Sequence, residues 1–175
     1  MSDHFTTAVA DFTIRYAEPR DVGLILALIR ELASYEKLLH EVVADADSLR
    51  RHLFGPRPVA EAVIGEYQGQ SAGFALFFHS FSTFLGRPGI YLEDLYVKPE
   101  LRGKGCGRAL LAFIAKLAVE RDCGRVEWSV LDWNKPSIGF YEGLGAVALD
   151  AWTRYRLTGT ALARLAANPD PDAGP

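Results

Sequence analysis

Cysteine is scarce in this chain: 175 residues include two, Cys106 and Cys123. Two thiols cannot build a disulfide framework, and their spacing matches no metal-ligand motif. A reducing compartment, the cytoplasm, is the expectation. Histidine is sparse as well. His4, His40, His52 and His79 are dispersed along the chain, without ligand spacing, so no metal is expected. Positive charge is not in excess: 19 Lys and Arg stand against 22 Asp and Glu, a net charge of -3. Nucleic-acid binders usually carry the opposite balance, so nucleic acid is not an expected partner. No apolar run reaches the length of a bilayer span, which leaves no membrane partner expected. The first residues lack a basic stretch followed by an apolar block, so a secretory signal is not expected. Internal repeats are absent as well.

What is present is an ordinary globular composition, 49% hydrophobic and 23% charged. The length suits a single core. One domain is expected over residues 12–165, between a flexible N-terminus, 1–11, and a disordered tail, 166–175, rich in Pro and Asp. Apolar periodicity predicts a strand at 12–16 and a helix from about 21 to 36, with Val22, Ile25, Leu28, Ile29 and Leu32 on one face. A short helix follows at 47–54, closed by Gly55 and Pro56. Strands at 59–67 and 72–79 flank Gln68-Gly69-Gln70, a hairpin signal. A strand at 90–97 ends before Pro99, and a helix at 105–120 buries Leu110, Leu111, Ile114, Leu117 and Ala118. A strand at 126–131, a helix at 136–144 capped by Asn134, and closing strands at 146–149 and 153–157 complete the order. The fold class is mixed α/β, with six to seven strands and about four helices. The helix between the strands at 90–97 and 126–131 makes that pair parallel, with a right-handed crossover.

The segment LEDLYVKPELRGKGCGRALL, Leu92 to Leu111, carries the chemistry. A strand ends, a turn with Gly103, Gly105 and Gly107 follows, and a helix begins. The first N–H groups of a helix have no intrahelical partner, and the dipole makes that end positive. Glycine lets an anion approach the backbone closely. Arg102, Lys104 and Arg108 add charge, so the geometry favours pyrophosphate. Neither the Walker pattern nor G-x-G-x-x-G is met.

These residues resemble the pyrophosphate motif of the GNAT superfamily of acetyl-CoA-dependent N-acetyltransferases. IRELASYEK, YLEDLYV, RGKGCG and DWNKPSIGFYEGLGA stand in the order seen in its spermidine/spermine (diamine) branch. The resemblance implies the GNAT fold with a splayed parallel strand pair, acetyl-CoA as co-substrate and a homodimer. It implies that Arg102, Gly103, Lys104, Gly105, Cys106, Gly107 and Arg108 hold the pyrophosphate. Leu95, Tyr96 and Val97 would offer backbone groups to the pantetheine arm and the oxyanion, and Asn134 and Ser137 would touch the same arm.

Amide formation from a thioester needs a neutral amine, because an alkylammonium has a pKa of ~10.4. It also needs oxyanion donors and an acid for the leaving thiolate. The resemblance makes Glu93 the group that assists amine deprotonation, directly or through water, and Tyr141 the general acid. Tyr35, Glu36 and Asp150 match positions that touch the acceptor, and Glu36, Glu93, Asp94 and Asp150 together would form an acidic pocket for a cationic amine. Two features depart from the diamine branch. Lys135 replaces an acid, and the final loop is shorter. A diamine or polyamine-like small molecule is the first acceptor expected. An amino acid or thialysine-like amine, an aminoglycoside or a protein amine are alternatives, and a non-catalytic acyl-CoA-binding regulatory module is the alternative from another class.

Overall fold

The computed structural model describes residues 4–167. They form two compact units that divide between Leu131 and Asp132.

In the first unit six strands make one sheet in sequence order: β1 (His4–Thr6), β2 (Phe12–Tyr16), β3 (Glu61–Tyr67), β4 (Gln70–Ser82), β5 (Arg87–Val97) and β6 (Val126–Trp128). Neighbours are antiparallel except β5 and β6, the parallel pair expected from the intervening helix. Strand β1 lies within the stretch read as a loose N-terminus. It is held by pairing with β2 and by Phe5, whose ring meets Phe113 at 5.1 Å and Tyr16 edge-on at 6.1 Å.

Both faces of the sheet are covered, and the alternation of β3 shows how. Ala62 and Ile64 join Ile25, Leu28, Leu53, Phe74 and Tyr96 in one buried cluster beneath α1 (Val22–Tyr35) and α2 (Ala46–Phe54). Gly65, on the other face, lies against Phe12 and Leu110 of α3 (Cys106–Glu120). A strand covered on both sides reads as a continuous apolar run, as Ala62 to Gly65 does. The stripe read for α3 is the one buried: Leu110, Leu111, Ile114, Leu117 and Ala118.

One charged group sits within the α1 face. Arg15 and Asp21, each 7% exposed, are paired bidentately at 2.6 and 2.9 Å, and Arg15 Nε donates to Glu66 at 2.8 Å. The hydrogen bond to Asp21 raises the Arg15 pKa above its ordinary value. Burial pushes the Asp21 carboxyl up, yet Arg15 and the Glu18 N–H hold it below its usual range. Removing one partner leaves a buried charge alone, so Arg15→Met is expected to cost about 3–5 kcal/mol in urea unfolding. The double variant with Asp21→Asn should recover much of that loss.

The second unit holds α4 (Lys135–Glu142) and α5 (Gly159–Ala167). The closing strands expected at 146–149 and 153–157 do not form among the described residues. Alternation gave the region strand character, but strand propensity needs a neighbour on which to pack. Here Val147, Leu149, Trp152 and Tyr155 are exposed. Helix α5 takes in Ala166 and Ala167, the start of the expected tail, and the rest of that tail lies outside the described residues. No helix among the described residues is long and apolar enough to cross a membrane.

Candidate active site

The end of β5 organises the candidate site residues of the first unit. Its parallel pairing with β6 covers Ile90, Tyr91 and Leu92 and then stops. From Glu93 to Val97, β5 keeps its antiparallel partner β4 and has no strand on the other side among the described residues. Alternate backbone groups of that stretch therefore face a gap. This is the splayed pair read from the sequence. Leu95, Tyr96 and Val97 lie along it.

A β-bulge sits at the same place. Leu76 pairs with Asp94 and Phe77 with Leu92, so Glu93 is the extra residue. The bulge changes which face the chain addresses. Without it Leu92 and Asp94 would share a face. With it Leu92 stays buried opposite Phe77, while Asp94 lies opposite Leu76 on the α1 side. Glu93 itself is exposed.

Glu36, the residue after α1, stands close enough to act on Asp94 electrostatically. Burial pushes the Asp94 carboxyl up to about 7, and the charges of Glu93 and Glu36 push the same way. Burial raises the Glu36 carboxyl too. Among the described residues no cation pairs with any of the three. Glu36 and Glu93, read as site residues, are thus brought together, and Asp94 is the member to which the sequence gave no separate chemical part. It was expected only as one of the four acids of the pocket, and the bulge that turns it to the α1 side leaves no signature in composition or spacing.

The turn after β5 has the backbone expected of it. Gly103 has φ +75° and Gly105 φ +87°, a left-handed region that side chains rarely adopt. Gly107 has ordinary dihedrals and only Val97 Cγ2, at 3.8 Å, near its missing Cβ, so alanine would fit there. Gly105 is the N-cap of α3 and has no side chain with which to cap it. The first N–H groups of α3 therefore remain available to an anion, as pyrophosphate binding requires. Cys106 is 1% exposed and its thiol is pushed up by burial. It is a packing residue, and its backbone alone can face a ligand.

The side chains of the turn depart from the simple reading. Arg102 Nε donates to the Val97 carbonyl at 3.0 Å, and its guanidinium lies 4.4 Å over the Tyr35 ring and 5.6 Å from that of Tyr96. Lys104 sits 5.1 Å over Tyr67. Arg108 is exposed, and its guanidinium has no ion pair or hydrogen bond among the described residues.

Four of the sequence-predicted positions belong to the second unit. Asn134 is buried, and its side chain accepts from the Ser137 N–H at 3.4 Å, which caps α4. Tyr141 is half-buried on α4, its ring 5.2 Å from Phe140. Asp150 is exposed, as is Lys135 at the start of α4.

A sheet that splays beside a glycine turn at a helix N-terminus, with carboxylates at the splay, is the arrangement that the resemblance to acetyl-CoA-dependent transferases implies. The acetyltransferase (GNAT) family profile matches residues 26–146, and the chain belongs to that family. It is an acetyl-transferring enzyme that acts on amine acceptors, and its family uses acetyl-CoA as co-substrate. The chain is 42% identical over 164 residues to a thialysine N-epsilon-acetyltransferase of Bos taurus, covering 87% of this chain and 96% of the bovine one. It is 34% identical over 194 residues to an L-ornithine N5-acetyltransferase of Arabidopsis thaliana, covering 85% of each. In fold it is similar to an integron cassette protein from the mobile metagenome of V. cholerae, with a TM-score of 0.76 and 23% identity over 90% of this chain and 99% of the other.

Proposed function

We propose that the enzyme moves acetyl from acetyl-CoA directly to the distal primary amine of a small cationic amino acid, with diamines as poorer acceptors. The observation that carries this reading is the Glu36–Glu93–Asp94 cluster at the point where β5 leaves β6. An unpaired acidic cluster suits an ammonium, and a carboxyl with a pKa near 7 is a far better proton acceptor than one near 4. The choice of an amino acid over a polyamine is supported by the thialysine and ornithine activities of the two relatives. Lys135, a cation where an acid was expected, suits an acceptor that carries a carboxylate.

In this reading the acceptor's ammonium gives its proton, through water, to Glu93 or Asp94. Its nitrogen then forms a bond to the thioester carbonyl carbon. Backbone N–H groups of Leu95, Tyr96 or Val97 hold the oxygen as charge develops there. The carbon–sulfur bond breaks, Tyr141 protonates the thiolate, and the second proton that the nitrogen loses returns through water to the phenolate, without a covalent enzyme intermediate. The turn from Arg102 to Arg108 supplies backbone N–H groups to the pyrophosphate, Arg108 adds charge, and Asn134 and Ser137 touch the pantetheine arm. Tyr35 and Asp150 complete the acceptor side. The family match spans both compact units, which supports a single functional domain. The exposed Val147, Leu149, Trp152 and Tyr155 suit coverage by a second copy, so the working form is a homodimer.

Thiol release from acetyl-CoA, measured with thialysine, L-ornithine, putrescine, spermidine and an aminoglycoside, tests the proposal. Thialysine and ornithine are expected to give the highest kcat/KM. A polyamine that outruns both would move the acceptor to the diamine class. Acetyl-CoA binding without thiol release from any amine would leave a regulatory module instead.

A further inference from the structure

The three cations of the turn do not share one task. Arg102 is turned back along β5 by its bond to Val97, toward Tyr35, the last residue of α1. One helical turn earlier, the Glu31 carboxylate of the same helix acts on the Tyr96 hydroxyl, and burial together with this charge pushes the Tyr96 phenol up. Residues four apart share a helix face. Helix α1 therefore meets the end of β5 at two points on one face, Glu31 near Tyr96 and Tyr35 beneath Arg102. The first point rests on a buried ring, Tyr96 being 4% exposed. The second rests on an arginine of the coenzyme turn and lies one residue before Glu36, which repels Asp94.

Two like charges facing each other drift apart unless the backbone beneath them is held. We infer that Arg102 is a positioning residue for the acceptor: its guanidinium clamps the Tyr35 ring, which holds Glu36 opposite Asp94, while Arg108 and the first N–H groups of α3 are left to the pyrophosphate. The inference rests on the acetyl-transfer reading above. It reassigns Arg102 from the donor to the acceptor, and it makes the coenzyme turn and the amine pocket parts of one clamp. A site preassembled in this way pays less ordering entropy when the amine binds.

The test compares Arg102→Met, Tyr35→Leu, Tyr35→Phe, Arg108→Met and the Arg102→Met/Tyr35→Leu double variant. Acetyl-CoA affinity is read by calorimetric titration, and acceptor KM and kcat by thiol release. Arg102→Met is expected to leave acetyl-CoA affinity within about 2-fold and to raise acceptor KM about 5- to 10-fold with kcat little changed. Tyr35→Phe keeps the ring that the guanidinium covers, so its acceptor KM should rise less than that of Tyr35→Leu. Tyr35→Leu should reproduce the KM rise, and the double variant should be no worse than either single one, as expected of two halves of one contact. Arg108→Met should weaken acetyl-CoA about 10-fold or more. The inference is overturned if Arg102→Met weakens acetyl-CoA as Arg108→Met does, or if the two KM effects multiply in the double variant. The titration needs no turnover, so it decides the place of Arg102 even if no amine is acetylated, and that second result would count against the acetyl-transfer reading alone.

Discussion

Tyr141→Phe is expected to release thiol from acetyl-CoA at about a hundredth of the parent rate or less at pH 7, with acetyl-CoA affinity unchanged. The substitution removes one hydroxyl and keeps the ring. The ring's contact with Phe140 survives, as do the two backbone bonds that the Tyr141 carbonyl accepts from Leu144 and Ala146. The proposed function assigns the loss to chemistry, and a urea midpoint equal to the parent's would bear that out. A phenol with a pKa of ~10 is protonated at neutral pH and can donate to a departing thiolate. Positioned acids of this kind contribute roughly 10²–10⁴ in rate. Steady-state thiol release, paired with a calorimetric titration of acetyl-CoA, separates the two. A variant that keeps the parent rate between pH 6 and 9 would remove Tyr141 from the reaction.

Asp94→Asn has the second large effect, and its mark is a change of pH profile. The native carboxyl ionises at about 7. In the free enzyme kcat/KM should therefore climb as pH rises through 7, because the ionised form attracts the ammonium and accepts its proton. The asparagine variant should lose that limb and about 10- to 100-fold in kcat/KM at pH 8. Stability should move the other way. A carboxyl whose folded pKa lies above the unfolded value of ~3.9 binds more protons when folded across the pH 4–7 window. Its contribution is complete below pH 4 and is lost as pH rises through 7. The amide carries no such cost, so Asp94→Asn should be the more stable protein at pH 8 by roughly 2–4 kcal/mol, with the difference vanishing near pH 4. Urea midpoints at the two pH values measure this. A variant that loses activity and also loses stability at pH 8 would mean that Asp94 is a structural group.

The glycine turn was legible because two of its residues need dihedrals that glycine alone adopts freely, and such a need is written into the sequence. The stripe of α3 and the parallel relation of β5 to β6 were legible for a similar reason, since periodicity and crossover length are local properties. The region after Gly145 was misread because AVALDAWTRYRL alternates like a strand, yet a strand exists only where a neighbour accepts its hydrogen bonds. Helix α5 was overlooked because its short Ala- and Leu-rich run borders a Pro-rich tail. In the site, the order of motifs pointed to Glu36 and Glu93, with Asp94 and Asp150 as further acids of the same pocket. The separate part of Asp94 and the inward turn of Arg102 were not legible, because both depend on one element meeting another across long stretches of sequence.

The bulge at Glu93 has a further consequence, for how this enzyme tolerates change in its gene. Leu92, in the core, and Asp94, in the proposed acceptor pocket, are read from the same strand in opposite phase, and one inserted residue supplies the offset. Point substitutions at Leu92, Glu93 or Asp94 alter one side chain each. Loss of a single codon between Leu92 and Leu95 would bring the two phases into step, turning either the carboxylate into the core or the leucine into the pocket. Descendants of this chain can therefore vary the acceptor residue by residue, but not by changing the length of β5.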